Sequence, residues 1–411
     1  MIEALMDFGR WFLANQFTFS ILMAAIVLLG PLINGCAICI LAERKLSGYI
    51  QDRKGPNRVG PWGLLQPLAD GIKFILKEDY TPGHVDRPTF ILAPAIAFIT
   101  ALLGFVIVPW AGEIHWPWME PGQTVSTQAA SLDVGFLYVL AVGSLAVYGV
   151  VLAGWSSNNK YAFYGGMRAT AQMLSYEVPL GLALLAMLLI GGSLRLEVLV
   201  AEQASTGLWW VAFQPIAFIM VLIASLAEAN RAPFDLAECE QELIAGFHVE
   251  YGSMKFAMFP LGEYAHMMTS AAIMTAVFFG GWHVWGLTDP ADTTLFGALL
   301  KFTVFWAKIA AFIGLFMLIR WTVPRFRYDQ LMRVAWKSMV PMGLGLVIGN
   351  GLLVYMGWHK LLAANLAVNA AVFVLAVIVS AMAKAPVTGR QVYMPAVQVA
   401  PGGGRSAAPR A

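Results

Sequence analysis

The amino-acid sequence predicts an all-α polytopic membrane protein with about nine transmembrane helices, and three observations carry the prediction. Hydrophobic residues make up 59% of the 411 residues and charged residues only 12%, about half the charged share of a soluble domain. Apolar stretches of the roughly 20 residues that cross a hydrocarbon core recur along the whole chain. Lys and Arg collect in alternate connections between those stretches, as topology in a bilayer requires. Helices satisfy every backbone group within one segment in lipid, so stretches of this length read as a helical bundle. A formal net charge of +2 gives no basic field for nucleic acid.

Taken in order, the first residues carry Glu3, Asp7 and Arg10 without a small-residue cleavage site, and the apolar run that follows is too long for a signal-peptide core. The first helix is therefore expected to stay. Spans are expected at 19–41, 90–110, 134–154, 171–192, 213–227, 267–287, 302–323, 338–358 and 361–383, the fifth being the shortest. The link between the first two holds Arg44, Lys45, Arg53, Lys54, Arg58, Lys73, Lys77 and Arg87. The next link holds only Glu113, Glu120 and Asp133. Lys160 and Arg168, Arg231 and Lys255, and then Arg325, Arg327, Arg333 and Lys337 mark the later odd-numbered links. Those links are expected to face the cytoplasm (or matrix), with the N-terminus outside. The tail at 386–411, rich in Pro, Gly and Ala, reads as a disordered inside segment.

Two inside links are too long and too patterned for plain connections. Within the first, 63–77 has a helical period. Leu64, Leu65, Leu68, Ile72, Ile75 and Leu76 fall on one side, with Gln66, Asp70, Lys73 and Lys77 on the other. Such a helix lies in the interface with its polar stripe toward water, or turns that stripe to a cavity against the bundle. The fifth link mixes Glu228, Arg231, Asp235, Glu238, Glu240, Glu242, Glu250 and Glu263 with many bulky apolar residues, which suggests acids held in a partly buried segment. On a helix, Glu238 and Glu242 share a face at i,i+4, where like charges cost roughly 0.2–0.5 kcal/mol.

Ionisable groups within spans need protein or water around them, because a charge at mid-membrane costs at least about 2.5–3.5 kcal/mol. Glu177 and Lys308 are of this kind. Glu177 has the chemistry of a proton relay or of a hydrogen-bonded structural acid, and Lys308 is equally open to a structural role. Cys36 and Cys39 have CxxC spacing inside an apolar helix with no second ligand pair, so they read as packing residues and no metal site is expected. Glu43, Arg44 and Lys45 close the first span, where they either snorkel or bind a polar headgroup.

The chain resembles the H subunit of bacterial respiratory complex I, the family of mitochondrial NADH dehydrogenase subunit one. Three motifs carry the likeness: Ala42-Glu43-Arg44-Lys45 with Gly48 and the run 51–60; the run 228–243, which begins Glu228-Ala229-Asn230-Arg231-Ala232-Pro233-Phe234-Asp235; and 324–331. The run 171–177 and the Glu-Tyr pairs 250–251 and 263–264 extend it. The resemblance implies an eight-helix membrane subunit of a proton-translocating NADH:quinone oxidoreductase, forming much of the ubiquinone tunnel and coupling quinone reduction to buried acids. By motif, Glu43, Arg44, Asp70, Arg231, Asp235, Arg325 and Arg327 would lie along the quinone entry. Glu177, Glu228, Glu238, Glu240, Glu242 and Glu263 would be proton-path acids. No flavin or iron–sulfur cluster is implied, and ubiquinone is the substrate. The implied partners are the other membrane-arm subunits, the quinone-site subunits of the peripheral arm, and membrane lipid. The implied location is the bacterial cell inner membrane or the mitochondrial inner membrane. Residues 1–358 would be the eight-helix core, 359–385 an additional ninth helix, and 386–411 the tail. Competing expectations are an ion-translocating component of a related hydrogenase or dehydrogenase, a stand-alone cation transporter, and a structural anchor for a peripheral arm.

Overall fold

The computed structural model describes residues 15–27, 30, 33–115, 122–236, 244 and 246–382. It is helical almost throughout, with one two-residue hairpin, β1 (Glu113–Ile114) paired antiparallel to β2 (Val125–Ser126). Among the described residues the α-helices are α1 (Gln16–Val27), α2 (Ile33–Ile50), α3 (Gln66–Leu76), α4 (Arg87–Leu103), α5 (Gly135–Ser156), α6 (Lys160–Gly191), α7 (Leu196–Thr206), α8 (Pro215–Glu228), α9 (Ser253–Phe278), α10 (Leu295–Thr322), α11 (Tyr328–Arg333), α12 (Val340–Tyr355) and α13 (Leu362–Met382). A π-helix, Val334–Met339, joins α11 to α12.

Among the described residues, six helical stretches are long and apolar enough to cross a membrane: Arg87–Ile107, Gly135–Ser156, Lys160–Gly191, Leu295–Thr322, Tyr328–Tyr355 and Leu362–Val379. The chain is an all-α polytopic membrane protein. Of the first predicted span, the described residues form α1, up to Val27, and α2, from Ile33. Past residue 41, α2 runs on to Ile50, because Glu43, Arg44 and Lys45 are good helix formers and Glu43 is buried in protein. The fifth span is a short apolar helix, α8.

The sixth span is displaced from its predicted bounds. Helix α9 begins at Ser253 and stops at Phe278, where Gly280 and Gly281 take φ of 67° and 53° and turn the chain. Seventeen of its 26 residues are buried, so protein rather than lipid surrounds it and its sequence need not be apolar. Lys308 of α10 holds the turn: its Nζ donates to the carbonyls of Phe279, Gly281 and His283 at 2.7, 2.8 and 2.7 Å. This contact is the structural alternative left open by the sequence. Cys36 and Cys39 are buried free thiols packed in the core.

The core lies where α6, α8 and α9 meet, centred on Tyr176, Met187, Met220, Met268 and Phe278. Helix α6 is the long central rod. Asn159 caps its start by accepting from the Tyr161 N–H at 3.0 Å, and Gly192 (φ 64°) ends it with an N–H bond to the Leu188 carbonyl. From the middle of α6, the buried Gln172 Nε2 donates to the carbonyls of Ala227 (3.0 Å) and Phe234 (2.9 Å). One side chain thereby fixes the start of the acidic link that follows α8.

Helix α3 settles the choice left by its pattern. Leu64, Leu68, Ile72, Ile75 and Leu76 are exposed, while Asp70 on the opposite side faces the bundle. The apolar face is thus available to lipid, and of the polar stripe Asp70 lines a cavity against the bundle, with Pro67, Gly71 and Phe74 beside it.

Candidate functional site

At the Arg-rich end of the bundle, α2, α3, α9 and α10 enclose a cavity of about 460 Å³. Apolar walls come from Ile40, Phe74, Phe256, Leu261 and Trp321, and the polar groups are Glu43, Arg44, Asp70, Arg231, Glu263 and Arg320. A largely apolar chamber of this size with a few convergent charges suits a small-molecule ligand.

Glu43 is the hub. Its Oε2 accepts from the Tyr264 hydroxyl at 2.7 Å and from Arg231 Nη1 at 3.0 Å, and its Oε1 pairs with Arg320. Arg231 in turn brings Nε to 3.7 Å from Glu263 Oε2 and lays its guanidinium 4.0 Å from the centre of the Tyr264 ring. Two arginines and two carboxylates neutralise one another, which a buried cluster requires. At the rim Arg44 Nη1 meets Asp70 Oδ2 at 2.6 Å, and Lys73 lies 3.3 Å from Oδ1. Burial pushes the Asp70 carboxyl upward, but Arg44 and Lys73 outweigh it and hold the group below its usual value.

Two further cavities continue inward. One of about 40 Å³ is lined by Glu263, His266, Glu228 and Asn230. The next, about 50 Å³, is lined by Glu228, His266, Glu177, Ser225, Thr269 and Ser270. Glu263 therefore borders the first and second chambers, while Glu228 and His266 border the second and third. His266 Nε2 is 3.3 Å from Glu228 Oε1, and Glu177 accepts a hydrogen bond from Ser144 at the far end. The result is a file of ionisable groups from the large cavity into the bundle.

The remaining sequence-selected residues divide. Asp235 pairs with Arg325 at 3.2 Å beside the link; burial pushes its carboxyl up to about 6, against the opposing pull of Arg325 and Arg231. Arg327 is 85% exposed, 3.9 Å from Asp329, and does not line the cavity. Glu238, Glu240 and Glu242 lie outside the described residues. Glu250 accepts from Asn159 at 2.8 Å on another side of the bundle. Among the described residues no group of three or more His, Cys, Asp or Glu could hold a metal ion.

Sequence reasoning missed Arg320, His266 and Ser144. Arg320 sits at a span end, where an arginine reads as a snorkelling anchor. His266 had a usable signal, since it follows Glu263 at i+3 and so lies on the same face of α9. Ser144 is too ordinary a residue in a membrane helix to have been singled out.

A helical bundle with a ligand-sized chamber at one end and a file of sheltered acids behind it defines the chain as a polytopic membrane protein. Comparisons with known proteins narrow this class. The profile of the NADH dehydrogenase family matches residues 23–350. The H subunit of NADH-quinone oxidoreductase from Leptospira biflexa is 46% identical over 339 residues, covering 80% of this chain and 94% of that one. Its counterpart in Protochlamydia amoebophila is 48% identical over 311 residues, 76% and 90% of the two chains. The counterpart in Flavobacterium psychrophilum is 43% identical over 313 residues, again 76% and 90%. The chain belongs to the NADH dehydrogenase family of membrane subunits.

Proposed function

We propose that the chain is the quinone-cavity subunit of a proton-translocating NADH:quinone oxidoreductase, and that Glu263, Glu228, His266 and Glu177 carry protons away from the cavity. The observation that carries this reading is the sharing of residues between successive chambers, from Glu43 and Arg231 to Glu177. The names of the relatives support it, since each is part of an oxidoreductase acting on NADH and quinone.

A quinone entering the chamber meets apolar walls that suit its tail and the Arg231–Glu43–Arg320 cluster that suits a polar head. Reduction to quinol takes up two electrons, supplied by a redox centre on another chain, and two protons. While negative charge builds on the ring, Arg231 turns part of its field toward it, and its hold on Glu263 weakens. Glu263 then binds a proton more readily, and the change passes to Glu228, His266 and Glu177. Moving one charge against 100 mV costs about 2.3 kcal/mol. A change of under two pKa units, at about 1.36 kcal/mol each, supplies that amount.

The chain works within a complex, beside other membrane-arm subunits and under peripheral-arm subunits that close the Arg-rich end, where Arg44, Asp235 and Arg325 meet them. By the alternation of basic links, that end faces the cytoplasm and the N-terminus lies outside, in an inner membrane. Residues 1–358 form the working core, with 359–385 an added helix and 386–411 a tail.

Glu228→Gln and Glu177→Gln in the assembled complex, reconstituted in proteoliposomes, test the proposal. Each is expected to abolish NADH-driven proton uptake. A structural anchor would keep normal pumping in both variants, and that result overturns the relay. A stand-alone cation transporter would move ions as the purified single chain, whereas the proposed subunit is inert alone.

A further inference from the structure

Helix α13 lies beyond the family match, which ends at residue 350, yet it is docked with care. At one end four buried amides knit it to the bundle. Gln214 Nε2 donates to Asn350 Oδ1 at 2.8 Å and to Asn365 Oδ1 at 3.2 Å, and Asn369 Nδ2 donates to Gln214 Oε1 at 3.0 Å. Midway, Gly345 and Gly349 at small-xxx-small spacing let α12 and α13 touch. A methyl group on Gly349 would sit 2.4 Å from Val368 Cγ1, and one on Gly345 3.2 Å from Val372 Cγ2.

Toward the other end the two helices part. They leave a cleft of about 490 Å³ whose apolar walls include Met342, Val372, Leu375 and Val379 and whose mouth carries Arg333, Lys337 and Ser338. Lys337 stands on the π-helix Val334–Met339 and is exposed, and no ion pair joins it to a carboxylate among the described residues. Arg333 shares its charge with Asp329 at 2.5 Å.

We propose that this cleft is a binding site for one anionic phospholipid, its phosphate at Lys337, Ser338 and Arg333 and one acyl chain between α12 and α13. Charge and shape both select this occupant. The cations lie where the basic links meet the membrane surface, which is the level of a headgroup. The cleft narrows to van der Waals contact at Gly345, so an acyl chain enters it, whereas a helix about 10 Å across does not. The site exists only because α13 is present, and it owes nothing to the quinone cavity.

The test uses the intact complex in nanodiscs with phosphatidylglycerol carrying a photoreactive group on its acyl chain. Label is expected on peptides containing Met342 and residues 372–379, and a phosphatidylcholine probe of the same chain should label them weakly. Lys337→Gln should lower the phosphatidylglycerol label about five-fold, the equivalent of about 1 kcal/mol for one basic residue at an anionic surface. Lys337→Arg should retain it, and Ala376→Trp, which fills the cleft, should abolish it. Equal labelling by the two headgroups, no response to Ala376→Trp, or a cross-link from the cleft to a neighbouring polypeptide of the complex would each overturn the proposal.

Discussion

Glu43 is held by Arg231, Arg320 and Tyr264 at once, and the buried Arg231 has little water to turn to in its place. Replacing it with Gln keeps an acceptor for Tyr264 but leaves the arginines in excess. Breaking a buried pair in this way costs on the order of 3–5 kcal/mol. Glu43→Gln is expected to lower the thermal midpoint of the assembled complex and its quinone reductase rate together; an unchanged midpoint would show that water already compensates the arginines. Asp235 gives a pH prediction. Its folded value of about 6 lies above the ordinary 3.8, so between those values the folded segment binds more protons than the unfolded one. The contribution of Asp235 is therefore most favourable below about 4, falls as pH rises through 6, and is level above that. Hydrogen exchange in the segment around Arg231 and Phe234, corrected for intrinsic rates, should show more protection at pH 5 than at pH 7, and Asp235→Asn should remove the difference.

Helix α3 is an element whose two faces have opposite solvents: Asp70 closes the cavity while Ile75 and Leu76 stand 70% and 79% exposed. A nitroxide at position 75 is expected to collide with dissolved oxygen more often than with an aqueous nickel chelate; the reverse order would place that face in water. The turn after α9 depends on Lys308, and Lys308→Met leaves three carbonyls without their donor. At about 1–3 kcal/mol for each unsatisfied group, this variant should melt several degrees earlier, with the KM for quinone unchanged. These elements also mark how far the sequence could be read. Hydropathy registers contact with lipid, so it found α4, α5 and α13 nearly in place and the ends of α6 and α10, whose starts at Lys160 and Leu295 precede the predicted 171 and 302. It misplaced α9, which is wrapped by protein and carries Lys255, Glu263 and His266, and it missed the helical start at Tyr328 because Asp329 and Arg333 hide it. The amphipathic period of 63–77 was legible, but not which face met the bundle, because that depends on what Arg44 offers across the gap.

On the scale of the whole molecule, the motif residues Glu43, Arg231 and Glu263 come together from α2, the link after α8, and α9, and only their long-range packing makes them one site. The partners that complete it, Arg320 and His266, belong to no motif that was read, so the connected file was not visible before the fold. The added helix tests the integrity of the bundle. A chain stopped after Trp358 strips Asn365 and Asn369 from Gln214, and is expected to assemble into complexes of lower thermal stability by native gel, with quinone reduction by the surviving complexes retained. The narrowness of the inner chambers has a consequence of its own. Spaces of about 40 and 50 Å³ admit a few water molecules, but not a sodium ion with its shell of oxygen neighbours. A hydrogen nucleus can hop through such a wire by exchanging bonds, whereas a metal cation must be stripped bare. The proposed relay through these chambers would thereby be sieved by chemistry: turnover coupled to it should slow in heavy water and ignore whether the salt is sodium or potassium.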